Sequence, residues 1–230
     1  MSARIDAPAG TALDAPLLTR RSVLQQGSGV LFIAATGGVT LVPVSIAQGQ
    51  SLASAVRDLA PGNLDTWIAM DASGAVTAFF GKMDMGQGVD TVIAQVVAEE
   101  LDVNVARVAV VMGDTHRTPN QGGASGSSAC RLGANAQRNA AAEARRVLVE
   151  RAASQLGVEA STLRVVDGQV FRAGQSQAAT SYAALIGPGF DTTLEWNRQQ
   201  GNNLLVKGAA AVKAPREYTV VGTPVARKDI

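Results

Sequence analysis

FFGKMDMGQGVDT, residues 79–91, decides the fold. An apolar strand end runs through a glycine turn straight into an amphipathic helix, so backbone N–H groups and a helix N-terminus converge on one point. That arrangement favours an anion. Outward from it, Val89, Val92, Ile93, Val96, Val97 and Leu101 recur at helical spacing and predict a helix whose apolar stripe lies on a sheet. Asp90 falls in the first turn, where a carboxylate suits the helix dipole but repels a bound anion. A second loop, QGGASGSS at residues 121–128, opens another helix, predicted from Ala129 to about Gln155 with Leu132, Ala136, Ala140, Val147 and Leu148 on one face. Two such loops point to a polyanionic ligand gripped twice.

The flanking residues supply strands. Residues 67–70 and 75–80, joined by Asp71-Ala72-Ser73-Gly74, read as a hairpin with a four-residue loop. RVAVVM at residues 107–112 reads as a buried strand, and residues 113–120 as a loop carrying the sole histidine, His116. A lone His without ligands at metal-binding spacing is a solvated loop residue. Arg138, Arg145 and Arg146 lie off the apolar face of the second helix and read as a solvated basic face with Glu143 and Glu150 as partners. Residues 163–166 and 169–171 form a second hairpin about Asp167-Gly168, a pair that suits a type I′ turn. Thr180 is placed to cap a short helix over residues 181–186, residues 191–208 are ambiguous, and residues 217–230 have extended, linker-like chemistry with no closing element. The fold class is α+β: β-hairpins and a short mixed sheet packed by two long helices, preceded by a disordered or helical export signal.

That signal is read in the first 47 residues. Arg20-Arg21 precede an apolar, Gly-rich run over residues 27–44 that closes on Ser45-Ile46-Ala47, the order of a twin-arginine export leader. Gly37, Gly38 and Pro43 interrupt the run as a permanent membrane span rarely accepts. With 230 residues, 47% hydrophobic and 17% charged, the chain can bury one core. Its net charge of +1 gives no electrostatic case for nucleic acid. The single cysteine, Cys130, excludes an internal disulfide and any cluster held by this chain's own thiolates. GKMDMGQG lacks the Lys-Ser/Thr ending of a Walker A loop, GQGVDT has only two of the three glycines of a dinucleotide fingerprint, and GGASGSSAC matches a GxSxG nucleophile only loosely.

The stretch GKMDMGQGVDTVIAQVVAEEL, the D-T-x-x-x-P-N loop from Asp114, and GGASGSS together resemble the molybdopterin-binding large subunit of the xanthine dehydrogenase and aldehyde oxidase family. The resemblance is strongest to its exported isoquinoline 1-oxidoreductase and nicotinate dehydrogenase-like branch, where a twin-arginine leader comes first. In that branch a Y-x-V-V-G-x-P-V-x-R-x-D-I stretch, here beginning at Tyr218, leads into a hammerhead domain. The resemblance implies four segments: a signal at 1–47, a linker at 48–63, part of a molybdopterin-binding domain at 64–210, and a linker at 211–230. It implies that Gly86, Gln87 and Gly88 approach the pterin end of a molybdenum cofactor by backbone and amide. It likewise implies that Gly123, Ala124, Ser125, Gly126, Ser127 and Ser128 offer N–H and hydroxyl donors to its phosphate. In bacteria the cofactor is usually the cytosine dinucleotide form. The family hydroxylates N-heteroaromatics or aldehydes with oxygen from water, uses a glutamate as base, and passes electrons to [2Fe–2S] centres on a partner subunit.

The family's G-x-G-E motif and its G-x-G-G-x-F-G loop do not occur in these 230 residues, and Glu99 and Glu100 match its AEEL helix end, not its base. No residue here is assigned a catalytic or metal-ligating role. The expectation is a subunit portion inactive alone, completed by the rest of a large subunit on the same or a separate chain, with an iron–sulfur small subunit and a c-type cytochrome as acceptor. Its location would be the periplasm, at the membrane if the leader is retained. The competing class is a non-catalytic periplasmic remnant or cofactor-binding module that keeps only the fold.

Overall fold

The strand that delivers the glycine turn is the middle of a three-stranded sheet. The computed structural model describes residues 59–187 and 189–226; the leader and most of the linker read at residues 48–63 lie outside them. β1 (Ile68–Met70) pairs antiparallel with β2 (Val76–Phe80), and β2 pairs parallel with β3 (Val108–Met112). The β1–β2 turn is an Asx turn, with Asp71 Oδ1 accepting from Ser73 N at 2.8 Å and Ala75 N at 3.1 Å. A parallel pair needs a crossover, supplied by α1 (Val89–Leu101). Its buried stripe is Val89, Ile93, Val97 and Leu101 with Ala94 and Ala98, while Val92 and Val96 are half-buried at its margin.

The expectation of a buried strand at residues 107–112 is corrected. β3 is an edge strand, every residue of which keeps some exposure, because only one of its faces meets α1. Its apolar composition reads as two-sided burial because periodicity cannot separate a buried strand from a half-buried one in five residues.

The second helix begins as a π-helical turn, Ala129–Gly133, and continues as α2 (Ala134–Leu156). Ala140, Ala141, Ala144 and Ala152 are fully buried on it, so α1 and α2 approach closely through small side chains. Gly133 sits under the Phe80 ring, which a Cβ there would meet at 2.8 Å. Gly157, at φ 64, ends the helix in a left-handed cap with Val158 N bonded to Ala153 O.

β4 (Leu163–Val166) and β5 (Gln169–Arg172) form the expected second hairpin, with positive φ at both Asp167 and Gly168 as a type I′ turn requires. β6 (Thr180–Ser181) adds to β5 and leads into α3 (Tyr182–Leu185). The cap is Ser181, whose Oγ accepts from Ala184 N, and not Thr180, which is taken up in the strand. The ambiguous stretch closes as a small antiparallel pair, β7 (Glu195–Trp196) with β8 (Val206–Lys207).

The AEEL helix end proves to be an anchor. Glu99 Oε2 accepts from the backbone N–H groups of Thr219, Val220 and Val221 at 2.9, 2.6 and 2.9 Å. Glu100 accepts from Arg138 Nε at 2.7 Å and from Lys213 N, and Glu143 accepts from Ala210 N at 2.9 Å. These three buried carboxylates hold residues 208–223 against α1 and α2. Arg146 pairs with Glu143 and Glu150 as expected. Arg138 and Arg145 do not form a solvated face: they bridge from α2 to Glu100 and Asp102 at the end of α1. Sequence pattern within one helix could not show partners on another.

Burial pushes the Glu99 carboxyl up, but the three backbone N–H groups and the Lys213 ammonium outweigh it, so its pKa lies below the ordinary 4.5; Glu143 is lowered in the same way by Arg146 and the Ala210 and Ala209 amides. A depressed carboxylate stabilises the fold above its unfolded pKa and loses that contribution as pH falls through the folded one. The unfolding free energy of the chain should therefore decline as pH drops below 4.5, and Glu99→Gln should flatten part of that decline while lowering stability at neutral pH by about 2–4 kcal/mol, both read from urea unfolding. A second measurement probes the sheet. A Cβ at Gly81 would lie 1.8 Å from Pro119 O, so Gly81→Ala should cost at least about 3 kcal/mol or prevent folding.

Candidate functional site

Both glycine loops leave the same edge of the structure. β2 alternates inward at Val76, Ala78 and Phe80, and the same parity turns Lys82 inward and leaves Met83 55% exposed. Lys82 is only 2% exposed. Its ammonium donates to Asn202 Oδ1 at 2.5 Å, Gly123 O at 2.9 Å, Ser128 Oγ at 3.3 Å and Gly122 O at 3.4 Å. Gln121, 2% exposed, adds a second tie: its Oε1 accepts from Gly81 N at 2.8 Å and its Nε2 donates to Gly133 O at 3.0 Å. The roots of the two loops are therefore joined side chain to backbone.

Their outer parts differ. In the first loop the convergent N–H groups of Gly86, Gln87 and Gly88 all donate to Asp84 Oδ1, at 2.7, 2.9 and 3.3 Å. The anion expected at this helix end is the chain's own carboxylate. Gln87 Oε1 accepts from Met85 N at 2.7 Å, which leaves its amide nitrogen as the loop's outward donor. Gly86 and Gly88 have positive φ and empty space where a Cβ would stand, so a ligand can approach the backbone there.

In the second loop the N–H groups of Gly123, Ala124, Ser125, Gly126 and Ser127 have no acceptor among the described residues, and Gly123 and Gly126 likewise face open space. Gly126 and Ser127 are both left-handed, at φ 58 and 56, a conformation that costs a serine of order 1 kcal/mol and is retained where the surroundings impose it. Gly122 is different: a Cβ would meet Asn202 N at 2.8 Å, so it is a packing glycine. Ser128 is also different from expectation. It is 3% exposed and its hydroxyl bonds Gly123 O at 3.1 Å, so it fixes the loop from beneath and cannot donate outward.

The donor set that remains is neutral: amide N–H groups, the hydroxyls of Ser125 and Ser127, and the Gln87 carboxamide. Such a set suits an anion held by hydrogen bonds, and the open space over Gly123 and Gly126 gives it room, so the second loop fits the phosphate end of a molybdopterin. No hydrogen bond among the described residues joins the tips of the loops to each other. His116 is exposed, and no group of three or more His, Cys, Asp or Glu is gathered as for a metal ion among the described residues. A cavity of about 310 Å³ lies elsewhere, lined by Glu100, Arg145, Arg146, Glu150, Ala210 and Lys213, whose charges already pair with one another or with Asp102 and Arg138. Sequence reasoning passed over Lys82, Asp84, Gln121 and Asn202. Strand parity marks Lys82, and Asp84 two residues before Gly86 is an Asx-turn signal; nothing local marks Gln121 or Asn202.

Residues 22–225 match the family model described as the molybdopterin cofactor-binding domain. The chain is 36% identical over 212 residues to a subunit of nicotinate dehydrogenase from Pseudomonas putida, covering 91% of this chain and 16% of that protein. It is 27% identical over 241 residues to the beta subunit of isoquinoline 1-oxidoreductase from Brevundimonas diminuta, covering 93% of this chain and 30% of that one. Quinoline 2-oxidoreductase from Pseudomonas putida 86 aligns with a TM-score of 0.48 at 26% identity over 60% of this chain and 19% of that one. The chain thus spans less than a third of the length of these relatives. It belongs to the molybdopterin cofactor-binding domain family.

Proposed function

We propose that this chain supplies one wall of the cofactor site of an exported molybdenum hydroxylase acting on N-heteroaromatics or aldehydes. The observation that carries the reading is the second loop: five backbone N–H groups without an acceptor among the described residues, over glycines that face open space, joined at the root to the MGQG turn. Gly123, Ala124, Ser125, Gly126 and Ser127 would hold the phosphate of the cofactor, in its cytosine dinucleotide form. The Gln87 amide, with Gly86 and Gly88 clearing space beside it, would contact the pterin. When bound, the cofactor supplies hydroxylation with water as the oxygen source. The residues of this chain would bind and orient it; among the described residues we assign none to take a proton from substrate, and on this reading proton abstraction falls to a glutamate on another segment.

The relatives support the rest of the reading. Nicotinate and isoquinoline are N-heteroaromatic, and both relatives are named as subunits, which supports a partner subunit; in this reading that partner carries [2Fe–2S] centres, with a c-type cytochrome beyond it. The twin-arginine pair at Arg20 and Arg21 supports export to the periplasm with the cofactor already inserted. A non-catalytic module is the second reading, favoured by the absence of the G-x-G-E motif from this sequence.

The test uses the chain purified, with whatever accompanies it, from a host that makes the cofactor. Molybdenum by mass spectrometry and pterin by fluorescence should co-purify. Gly123→Val, whose Cβ meets nothing within 4 Å, should cut both by about tenfold with an unchanged melting temperature. Wild-type chain free of molybdenum and pterin contradicts the reading, and turnover by the chain without a partner contradicts the assignment of proton abstraction to another segment.

A further inference from the structure

We infer that Lys82 is the residue that makes the second loop an anion site: it sets the peptides of that loop with their N–H groups outward and puts beneath them a positive charge that no carboxylate among the described residues neutralises. This rests on the reading of residues 123–127 as the phosphate grip. Lys82 is 2% exposed and, among the described residues, no carboxylate pairs with it; all four of its acceptors are neutral. Two of them are consecutive carbonyls, those of Gly122 and Gly123. In a trans peptide the carbonyl and the following N–H point in opposite directions, and the described chain has no cis bond. Drawing both carbonyls onto the ammonium therefore turns the N–H groups of Gly123 and Ala124 away from it, toward the open side of the loop.

The charge acts in the same sense. A buried ammonium polarises the peptides it binds, and in a low-dielectric surrounding its field extends to the loop above it. Burial lowers the Lys82 pKa, so an anion at residues 123–127 would in turn favour its charged form. Ser128 completes the arrangement by accepting from Lys82 and donating to Gly123 O, which pins one carbonyl twice. Lys82 is thus a positioning residue: it acts on the anion through the loop.

Inorganic pyrophosphate, titrated into the full chain while amide shifts are followed by NMR, tests this without turnover. Wild-type chain should show saturable shifts confined to residues 123–127. Lys82→Met should weaken binding by about tenfold or more. Because that variant also loses the loop's hydrogen bonds, Asn202→Asp separates charge from shape: it keeps an acceptor on Lys82 but neutralises it, and should weaken binding comparably with the fold and loop shifts otherwise retained. Binding by folded Asn202→Asp equal to wild type would overturn the inference while leaving the phosphate grip intact. Wild-type chain with no shift at residues 123–127 would overturn the grip and the inference together, and if Lys82→Met does not fold, Asn202→Asp alone decides.

Discussion

The Lys82 ammonium has been taken out of water with only neutral oxygens around it. Stripping a cation of its hydration costs several kcal/mol, and charge-assisted hydrogen bonds of about 1.5–3 kcal/mol each offset that only when geometry lets several form at once. Three protons here serve four acceptors from the loop at residues 122–128 and from Asn202. That requirement fixes where the loop can run. It also explains the glycines packed beneath it: Gly81 lies where a Cβ would strike Pro119 O, Gly122 where one would strike Asn202 N, and Gly133 where one would strike the Phe80 ring. The chemistry of a loop is usually sought in its exposed residues, but with Lys82 acting as we infer, control of the exposed side lies in the buried one.

The opposite end of α1 is organised by the same physics with the sign reversed. Glu99 and Glu100 are buried and negative, and they are satisfied by the backbone of residues 213–221 together with Arg138 and Lys213. Among the described residues from 208 on, the short 3-10 turn Pro215–Glu217 is the one regular element, so these carboxylates replace a strand or helix as the anchor of that stretch. Arg138 contributes twice, bonding the Lys213 carbonyl and lying over the Tyr218 ring at 5.4 Å. A helix with a glycine turn at one end and two buried carboxylates at the other thus links the candidate site to the C-terminal segment.

Much of this was legible in the sequence because it is local. The hairpin at Asp71, the type I′ turn at Asp167-Gly168 and both long helices follow from short-range pattern and turn chemistry. The edge position of β3 was not legible, since five apolar residues look alike whether one face or two is covered. The site was legible as two loops but not as one structure, because Gln121 and Asn202 reach residues 40 and 120 positions away and no periodicity encodes that. Asp84 is the instructive miss. The glycine turn has the amide geometry expected of an anion cup, and the carboxylate that fills it stands two residues upstream in plain view, so its effect is to stabilise the turn; the proposed ligand contacts are left to the second loop and to Gln87.

The central claim is that the N–H groups over Lys82 receive the phosphate end of the cofactor. A crystal structure of the cofactor-loaded protein, with phosphorus located by its anomalous signal, measures this directly. The account predicts a phosphate within hydrogen-bond distance of the amides of residues 123–127, above the Lys82 ammonium. A phosphate seated instead at the Gly86–Gly88 turn, displacing the Asp84 carboxylate, or in the cavity between Glu100 and Lys213, would contradict it.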